Sequence, residues 1–344
     1  MVLFIVDGLG QWQLEKHIAD GDVPNLKALM EGAHHQVITS VFPSTTMAAV
    51  TAMHTATPPA KSGWLGYTLW LPEVGATVEM IGQINQTTHK PLEDRGFLAS
   101  VPGMYTRLEK LGVQVSSVQP SGYRGSWLND WYWQGAVQYG YITANILPSA
   151  TARPLELDGR KLVVLYWADY DSVCHRHGPS SSAASDEISA LDHALGRFMA
   201  RAPEGRQDGS RGNGRSRTDR PESGRGGVSR ARRVVALEVA ERPGGDRVCR
   251  TLRVAPDAVD AVEEHVRRYG DVMRSSEAWE AGLFGGAPGQ VLFRERVGDL
   301  IVMPRDGRQL CWTFTGKQPS RPHLGSHGAL SHEEMRVPLL AARL

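Results

Sequence analysis

Four places in this sequence carry side chains that could bind a divalent metal ion or attack a substrate. Asp7 ends a short apolar run, and a hydroxyl-rich stretch from Pro43 to Thr46 follows it closely. Asp171 and His175 lie about one helical turn apart, and His327 stands between two glycines near the C-terminus. Carboxylates and imidazoles are preferred zinc ligands, and a metal ion can activate a neighbouring hydroxyl as a nucleophile. We therefore predict a metal site that includes Asp7, Asp171, His175 and His327.

Neighbouring residues offer alternatives at two of these positions. Asp169 and His177 flank the predicted pair on the same helix. We expect Asp169 to support the site or the helix, and His177 to lie at the surface or at the edge of a substrate site. His323 and His332 lie near His327 but lack its flanking glycines, which let a backbone approach its neighbours closely. We expect both of these histidines at the surface.

Two of the candidates also have a purely structural interpretation. An acid placed like Asp7 can cap the following helix, and a threonine placed like Thr46 can serve as a helix N-cap. In the catalytic interpretation Thr46 is the nucleophile, because a hydroxyl at a helix N-terminus faces free N–H groups and a positive dipole end that stabilise a phosphate. The metal-ligand candidates favour this second interpretation. Thr45 is the other choice for the nucleophile.

The elements that would position these residues alternate between strands and helices. Apolar β-branched runs predict strands, and apolar residues at helical spacing predict helices between them. The predicted strands of the main sheet are Val2 to Val6, Gln36 to Phe42, Val113 to Val118 and Leu162 to Trp167, and the clearest helices are Thr46 to Thr55 and Ser185 to Ala200, with Ser185 as a cap. The alternation predicts an α/β fold with a doubly wound, mostly parallel sheet flanked by helices.

The sequence divides into a core, a cap and an atypical segment. We assign residues 1–205 and 316–344 to the core, and residues 250–315 to a small α+β cap with strands at 291–303 and 309–315. Residues 206–235 form an Arg/Gly-rich segment, with nine arginines from Arg206 to Arg233. One interpretation of this segment is a flexible basic linker, since such a composition buries too little apolar surface to fold.

Composition narrows the class of protein. The 344 residues carry a formal net charge of +1, so no overall field attracts nucleic acid or a membrane surface. The three cysteines are scattered, which fits a reducing compartment, and no apolar run is long enough to span a membrane. With no secretory signal visible, we expect a cytoplasmic protein, and the abrupt start in a strand suggests that upstream residues are missing.

The ordered set of motifs resembles the alkaline phosphatase superfamily and, within it, a bacterial member of the type I phosphodiesterase/nucleotide pyrophosphatase family. The resemblance covers residues 2–205 and 251–344. The family's nucleophile lies three residues after a proline, which is Thr46 here, its D-x-x-x-H-x-x-G-P motif reads Asp171 to Pro179, and its late G-x-H-G contains His327. The resemblance implies an alkaline-phosphatase-like fold and hydrolysis of phosphodiester or phosphoanhydride bonds in a small, nucleotide-like phosphate ester, through a phospho-threonine intermediate.

The resemblance also implies two divalent metal ions. One ion would be held by Asp171, His175 and His327. The other would be held by Asp7, Thr46 and an Asp-His pair from a D-H-G motif. We expect zinc, with manganese or another divalent ion as the alternative.

The D-H-G motif is absent from the sequence, and the Arg/Gly-rich segment occupies its expected place. Shifting the reading frame of Arg206 to Thr218 by a single base permits the sequence Gly-Arg-Thr-Ala-Ala-Val-Val-Thr-Ala-Asp-His-Gly, which is an apolar strand ending in the motif. Our second interpretation of the segment is therefore a frameshift that has overwritten a core strand and the ligands of one ion. In that case this chain holds only one metal ion.

The DNA sequence across this segment decides between the two interpretations. The frameshift hypothesis predicts codons for residues 206–218 that encode Asp-His-Gly in the shifted frame. An intact frame, with codons that cannot encode Asp-His there, would exclude it.

Several other functions are compatible with parts of the sequence. A catalytically impaired pseudoenzyme that binds one ion is favoured by the absent D-H-G motif, and a phosphomonoesterase of the same superfamily is a further alternative. A sulfatase needs a C/S-x-P-x-R context, which the sequence around Pro43 lacks, and a mutase would use Ser44, whose position does not fit. Binding of nucleic acid through the arginine-rich segment is disfavoured, because interleaved aromatic residues are missing there. The natural substrate stays open, since Ala49 stands where eukaryotic members commonly carry a phosphate-binding asparagine.

Overall fold

The computed structural model of this chain describes residues 1–201, 244–287, 292–311 and 323–342. Its strands are β1 (Val2–Val6), β2 (His34–Thr39), β3 (Thr68–Leu71), β4 (Ala76–Glu79), β5 (Ile84–Asn85), β6 (Gln114–Pro120), β7 (Val137–Tyr141), β8 (Lys161–Trp167), β9 (Gly244–Asp246), β10 (Cys249–Leu252), β11 (Gly270–Arg274), β12 (Leu300–Pro304) and β13 (Arg336–Ala341). Its helices are α1 (Gln11–Asp20), α2 (Pro24–Glu31), α3 (Thr46–Thr55), α4 (Pro59–Ser62), α5 (Met104–Lys110), α6 (Trp127–Tyr132), α7 (Leu147–Glu156), α8 (Asp169–His177), α9 (Ser182–Met199), α10 (Val259–Val266), α11 (Ser275–Glu280), α12 (Phe293–Val297) and α13 (His332–Met335). Among these helices, none combines the length and the apolar character needed to cross a membrane. The arginine-rich segment, and with it the frameshift hypothesis, lies outside the described residues.

The main sheet brings the strands of two predicted motifs together. Its four described strands are all parallel, in the order β1-β8-β6-β7, and β1 pairs with β8 along its whole length. Most of β8 is buried and apolar, as expected for a parallel strand that is covered on both faces. Because parallel strands end at the same edge of a sheet, Asp7 after β1 and Asp171 after β8 lie close together.

The predicted α/β fold is confirmed, but our assignment of one strand to the main sheet is wrong. The predicted strand from Gln36 to Phe42 is instead β2, which ends at Thr39 and pairs antiparallel with β13 in a separate two-stranded sheet. The physical reason is polarity: β2 has the sequence HHQVIT and is mostly exposed, which suits a sheet with a solvated face. The long helix α9 also begins earlier than predicted, because Ser181 and not Ser185 is its N-cap.

The cap is built from two separate stretches of the chain. A seven-stranded antiparallel sheet, in the order β11-β12-β10-β9-β3-β4-β5, joins residues 68–85 to residues 244–304. Four strands of this sheet, β3, β4, β5 and β9, precede the predicted cap at 250–315 in sequence. Of the strand predicted at 291–303, with a Gly or Asp turn, residues 300–303 are confirmed as part of β12. The earlier part is wrong, because α12 and a turn at Gly298, with a φ of 74°, come before β12. Residues 309–311 form no strand, and the rest of the strand predicted there lies outside the described residues.

A buried ion pair links these two stretches. The guanidinium of Arg296, on α12, lies 2.5 Å from a carboxylate oxygen of Glu73, which follows β3. The same guanidinium donates a hydrogen bond to the carbonyl oxygen of Gly63 at 3.1 Å. Because Arg296 is 1% exposed, removing one partner would leave an uncompensated buried charge, so the pair holds the two stretches of the cap together.

The helix α3, which starts at Thr46, rests on a cluster of aromatic side chains. The His54 ring stacks on the ring of Tyr132 at 4.6 Å between centroids, and the Tyr132 hydroxyl lies 2.6 Å from that of Thr51. Beside them, the ring of Trp131 stacks on those of Trp64 and Trp127, with centroids 5.3 Å and 5.7 Å apart. These contacts hold α3 against the cap side of the core.

Protonation of His54 should make the fold sensitive to acid. Burial lowers the pKa of His54 to about 3, whereas an unfolded histidine titrates near 6.5. Between these values the unfolded chain binds a proton that the folded chain does not. Stability is therefore lost as the pH falls below about 6.5, by up to about 1.4 kcal/mol per pH unit from this group.

Urea unfolding at pH 7 and pH 5 tests this expectation. The His54→Leu variant should lose less stability between the two pH values than the native chain does. The matched control is His193→Leu, since His193 is exposed on α9. Equal losses in the native chain and in His54→Leu would contradict the expectation.

Candidate metal centre and active site

The helix α8 presents Asp171 and His175 at the edge of the main sheet because its other face is anchored. On that face the buried Tyr170 donates its hydroxyl proton to Nε2 of His17 at 2.9 Å. Nδ1 of the same imidazole donates to Asp22 at 2.7 Å. These hydrogen bonds lie in the interior, so the helix cannot rotate about its axis without leaving buried polar groups unpaired.

Gly8 allows Asp7 to lie beside Asp171. Its φ is +75°, and a Cβ at this position would lie 2.9 Å from the Cα of Asp171. Any larger residue would push the end of β1 away from α8. The Asp7 carboxylate also accepts a hydrogen bond through Oδ2 from the hydroxyl of Tyr166, on the neighbouring strand β8. The carboxylate interacts electrostatically with Asp171 and His327.

Asp171, His175 and His327 form a cluster whose potential ligand atoms all lie within 4.8 Å of one another. Nε2 of His175 lies 3.3 Å from Oδ2 of Asp171, and Nε2 of His327 lies 3.2 Å from Oδ1. Each Nδ1 donates to a backbone carbonyl at 2.7 Å, that of Gly325 for His175 and that of Ser44 for His327. Because a carbonyl only accepts, each Nδ1 keeps its proton and each Nε2 is available to an ion. One carboxylate and two imidazoles arranged in this way suit zinc.

The negative charges at the cluster favour a bound positive charge. Burial alone would lower the pKa of His327, but the hydrogen bond and the charge of Asp171 raise it to about 10. Burial also opposes ionisation of Asp171, yet hydrogen bonds from His175 and His327 hold the pKa of this carboxyl well below its usual range. Burial, and then the charge of Asp171, raise the pKa of Asp7 to about 6. A divalent cation between these groups would replace the imidazolium proton as the counter-charge.

Thr46 carries the available hydroxyl in the stretch that enters α3. Ser44 donates its hydroxyl proton to the carbonyl of Ala329 at 2.9 Å. Thr45 is the N-cap, and its hydroxyl accepts a hydrogen bond from the N–H of Ala48 at 3.3 Å. The half-buried Thr46 hydroxyl makes no hydrogen bond within the described part of the chain. The structural role that we weighed for Thr46 therefore belongs to Thr45.

The structure gathers four of the predicted site residues directly. Asp171, His175 and His327 form the cluster, and Asp7 is close enough to interact electrostatically with Asp171 and His327. Thr46 lies two residues beyond Ser44, whose carbonyl holds His327. Their roles as ligands and nucleophile stay predictions. The alternatives Asp169, His177 and His332 are exposed.

Three neighbours of the centre were missed from the sequence. The ring of His323, which we expected at the surface, lies 4.6 Å from that of His175. Asp246, at the end of β9, accepts a hydrogen bond from the N–H of Tyr67 at 3.1 Å and lies beside Gly328. Glu334 binds the backbone of the loop that carries His327. His323 was weighed as an alternative to His327 but expected at the surface, and no sequence pattern marked Asp246. The S-x-x-E pattern of Ser331 to Glu334 was visible but indicated only a helix cap.

Comparison with known proteins identifies the class of this fold and site. The sequence matches the family of type I phosphodiesterase / nucleotide pyrophosphatase over residues 1–210, which is more than half of the chain. The protein is thus a hydrolase of the phosphodiesterase and pyrophosphatase type. The chain belongs to this metal-dependent family, as the motifs predicted. No curated protein matches the chain in sequence.

Solved structures with the same fold include enzymes of two kinds. Phosphonoacetate hydrolase from Sinorhizobium meliloti, in complex with phosphonoformate, superimposes with a TM-score of 0.67 at 16% identity, covering 100% of this chain and 90% of that chain. Murine ectonucleotide pyrophosphatase / phosphodiesterase 5 gives a TM-score of 0.66 at 14% identity, covering 99% of this chain and 87% of its own. An inactive form of the murine protein in complex with AMP gives the same TM-score of 0.66 at 15% identity, with the same 99% and 87% coverage. These similarities confirm the alkaline-phosphatase-like fold.

Binding of Zn²⁺ to the cluster should release at least one proton per ion at neutral pH. One proton comes from Nε2 of His327, whose pKa is about 10 and which must be deprotonated to bind an ion. Against the effect of burial, Asp171 also raises the pKa of His175, so this second imidazole adds to the release. Isothermal titration calorimetry in buffers of different ionisation enthalpy counts the protons. His327→Ala should abolish both binding and release, while His332→Ala, at an exposed position, should change neither. Binding without proton release would contradict this expectation.

Proposed function

We propose that this chain hydrolyses phosphodiester or phosphoanhydride bonds in small, nucleotide-like substrates, with a divalent ion held by Asp171, His175 and His327. The observation that carries the proposal is the orientation of the two imidazoles, which are tied back through Nδ1 so that both Nε2 atoms face one carboxylate. Membership of the family supports the reaction class. The phosphonoformate and AMP bound by proteins of the same fold support a small ligand with a phosphate or phosphonate group. Zinc fits the donor set best, with manganese as the alternative.

Thr46 is the proposed nucleophile. Its Oγ1 forms a bond to phosphorus while the bond between phosphorus and the leaving oxygen breaks, and the hydroxyl proton passes to solvent. The leaving oxygen takes up a proton from solvent. Water then attacks the phosphothreonine, the bond between phosphorus and Oγ1 breaks, and Thr46 regains a proton. A bound divalent ion supplies the charge that lowers the pKa of the hydroxyl and stabilises the phosphoryl oxygens.

The N-terminus of α3 offers hydrogen bonds to the reacting phosphoryl group. The N–H groups of Thr46 and Met47 have no acceptor among the described residues. They belong to a helix of ten residues, whose N-terminal dipole favours negative charge. The oxygens that gain charge during attack by Thr46 would lie at these donors, where stabilisation requires no rearrangement.

Asp7 is proposed as a ligand of a second ion, together with Thr46. The Asp7 carboxylate accepts the hydroxyl of Tyr166 and interacts electrostatically with Asp171 and His327, which supports this role. The remaining ligands of such an ion would come from the D-H-G motif that the sequence lacks. This lack favours a second candidate function, a chain that keeps the fold and binds one ion without turnover.

Measurements of turnover and of bound metal separate these functions. The substrate is a bis(nitrophenyl) phosphate, and the bound ions are counted by equilibrium dialysis. The proposed enzyme should turn over this substrate with two equivalents of Zn²⁺. The non-catalytic candidate binds one equivalent and shows no turnover.

Paired threonine variants test the nucleophile. Thr46→Ala should lower kcat by roughly a thousandfold or more while the ion at Asp171 still binds. Thr45→Ala should instead cost about 1 kcal/mol of stability through the lost cap and keep most of the turnover. A fully active Thr46→Ala variant, or an inactive Thr45→Ala variant that folds, would overturn the assignment of Thr46.

A further inference from the structure

Glu334 makes contacts that its sequence pattern does not predict. Ser331 and Glu334 have the spacing of a capping box, in which the glutamate would reach back to the N–H of the N-cap serine. The Ser331 hydroxyl does accept the N–H of Glu334, at 3.3 Å. The glutamate carboxylate instead extends past the N-cap. Its Oε2 accepts the N–H groups of Gly328 at 3.1 Å and of Ala329 at 2.5 Å.

The same carboxylate oxygen also reaches the stretch that leads to the proposed nucleophile. Oε2 of Glu334 lies 3.3 Å from Oγ of Ser44, whose proton goes to the carbonyl of Ala329 at 2.9 Å. The carbonyl of Ser44 in turn accepts the Nδ1–H of His327 at 2.7 Å. These bonds form a closed ring. It runs from Glu334 to the N–H of Ala329, from the carbonyl of Ala329 to the hydroxyl of Ser44, from the carbonyl of Ser44 to His327, and back through the N–H of Gly328 to Glu334.

Packing around Gly328 leaves this ring little freedom. The φ of Gly328 is +137°, and a Cβ here would lie 3.1 Å from Cγ2 of Thr45 and 3.4 Å from Cβ of Asp246. The loop therefore passes between the N-cap of α3 on one side and the cap sheet on the other. The direction of the Gly328 N–H, and with it the place of His327, depends on the acceptor that Glu334 supplies.

We propose that Glu334 is a positioning residue, which fixes Nε2 of His327 and the hydroxyl of Thr46 relative to each other. Glu334 touches neither an ion nor a substrate. It holds the backbone of one loop directly and that of the other through Ser44. The inference rests on the proposed function, because it assumes that His327 binds an ion and that Thr46 attacks phosphorus.

Three variants separate the hydrogen-bonding role of Glu334 from its charge. Glu334→Ala removes the acceptor for both N–H groups. Glu334→Gln keeps an oxygen acceptor but loses the charge that strengthens such hydrogen bonds. Glu333→Ala is the matched control, because Glu333 is the preceding residue on the same helix α13 and is exposed.

The first readout is the affinity for Zn²⁺, measured by competition with a chromophoric chelator at a temperature where thermal melting shows each variant to be folded. Glu334→Ala should raise the Kd by about 10- to 100-fold, the range seen when groups that orient metal ligands are removed. Glu334→Gln should give a smaller rise of about three- to tenfold. Glu333→Ala should match the native chain. If the alanine variant does not fold, the comparison of Glu334→Gln with Glu333→Gln decides.

The second readout is the split between kcat and KM for bis(nitrophenyl) phosphate at saturating Zn²⁺. A misplaced nucleophile lowers kcat, whereas KM should change little because Glu334 does not touch the substrate. A lower melting temperature with native Kd and native kcat would overturn the proposal and leave only a structural role. If the native chain binds Zn²⁺ and the Glu334 variants have the same Kd and kcat as the native chain, only the positioning role is refuted. A native chain that binds no Zn²⁺ refutes the proposed function, and the positioning role with it.

Discussion

The half-buried carboxylates of Asp7 and Asp171 are close enough to repel each other, and this arrangement of like charges constrains the groups around it. Burial and mutual repulsion both oppose ionisation there, so each charge needs compensation by a cation. The pKa values reflect this conflict: that of Asp7 rises to about 6, while the protonated His327 keeps Asp171 charged. A site built in this way has a strong preference for bound positive charge before any substrate arrives.

The fold provides this arrangement from separate parts of the chain. Parallel pairing of β1 and β8 brings the two acids to the same edge of the sheet, and Gly8 lets the strand end approach α8. The loops that carry Ser44 and Gly325 supply the carbonyls that orient the two imidazoles. The centre thus draws on four regions that are far apart in sequence. The proposed metal site therefore depends on the tertiary structure more than on any single element.

The sequence was sufficient for those parts of the fold that local patterns determine. β1 and α3 have the predicted bounds, and β8 begins one residue before its predicted start, because apolar runs and helical spacing show where such elements lie. The pairing of Asp171 with His175 also follows from spacing on a helix. The sheet partner of β2 and the origin of the cap sheet depend on contacts between distant segments, which no local pattern records. The positions of His323 and Glu334 were missed for the same reason, since their neighbours at the centre come from other loops.

The stacked indoles of Trp64, Trp131 and Trp127 give the molecule an internal spectroscopic label. Rings held at 5.3 Å and 5.7 Å between centroids, with planes inclined by only 27° and 28°, couple their electronic transitions. The resulting exciton band in circular dichroism exists only while the three rings keep this geometry. Trp131 also packs on Tyr132, whose hydroxyl is hydrogen-bonded to Thr51 on α3. The band therefore reports on the position of that helix without any added dye.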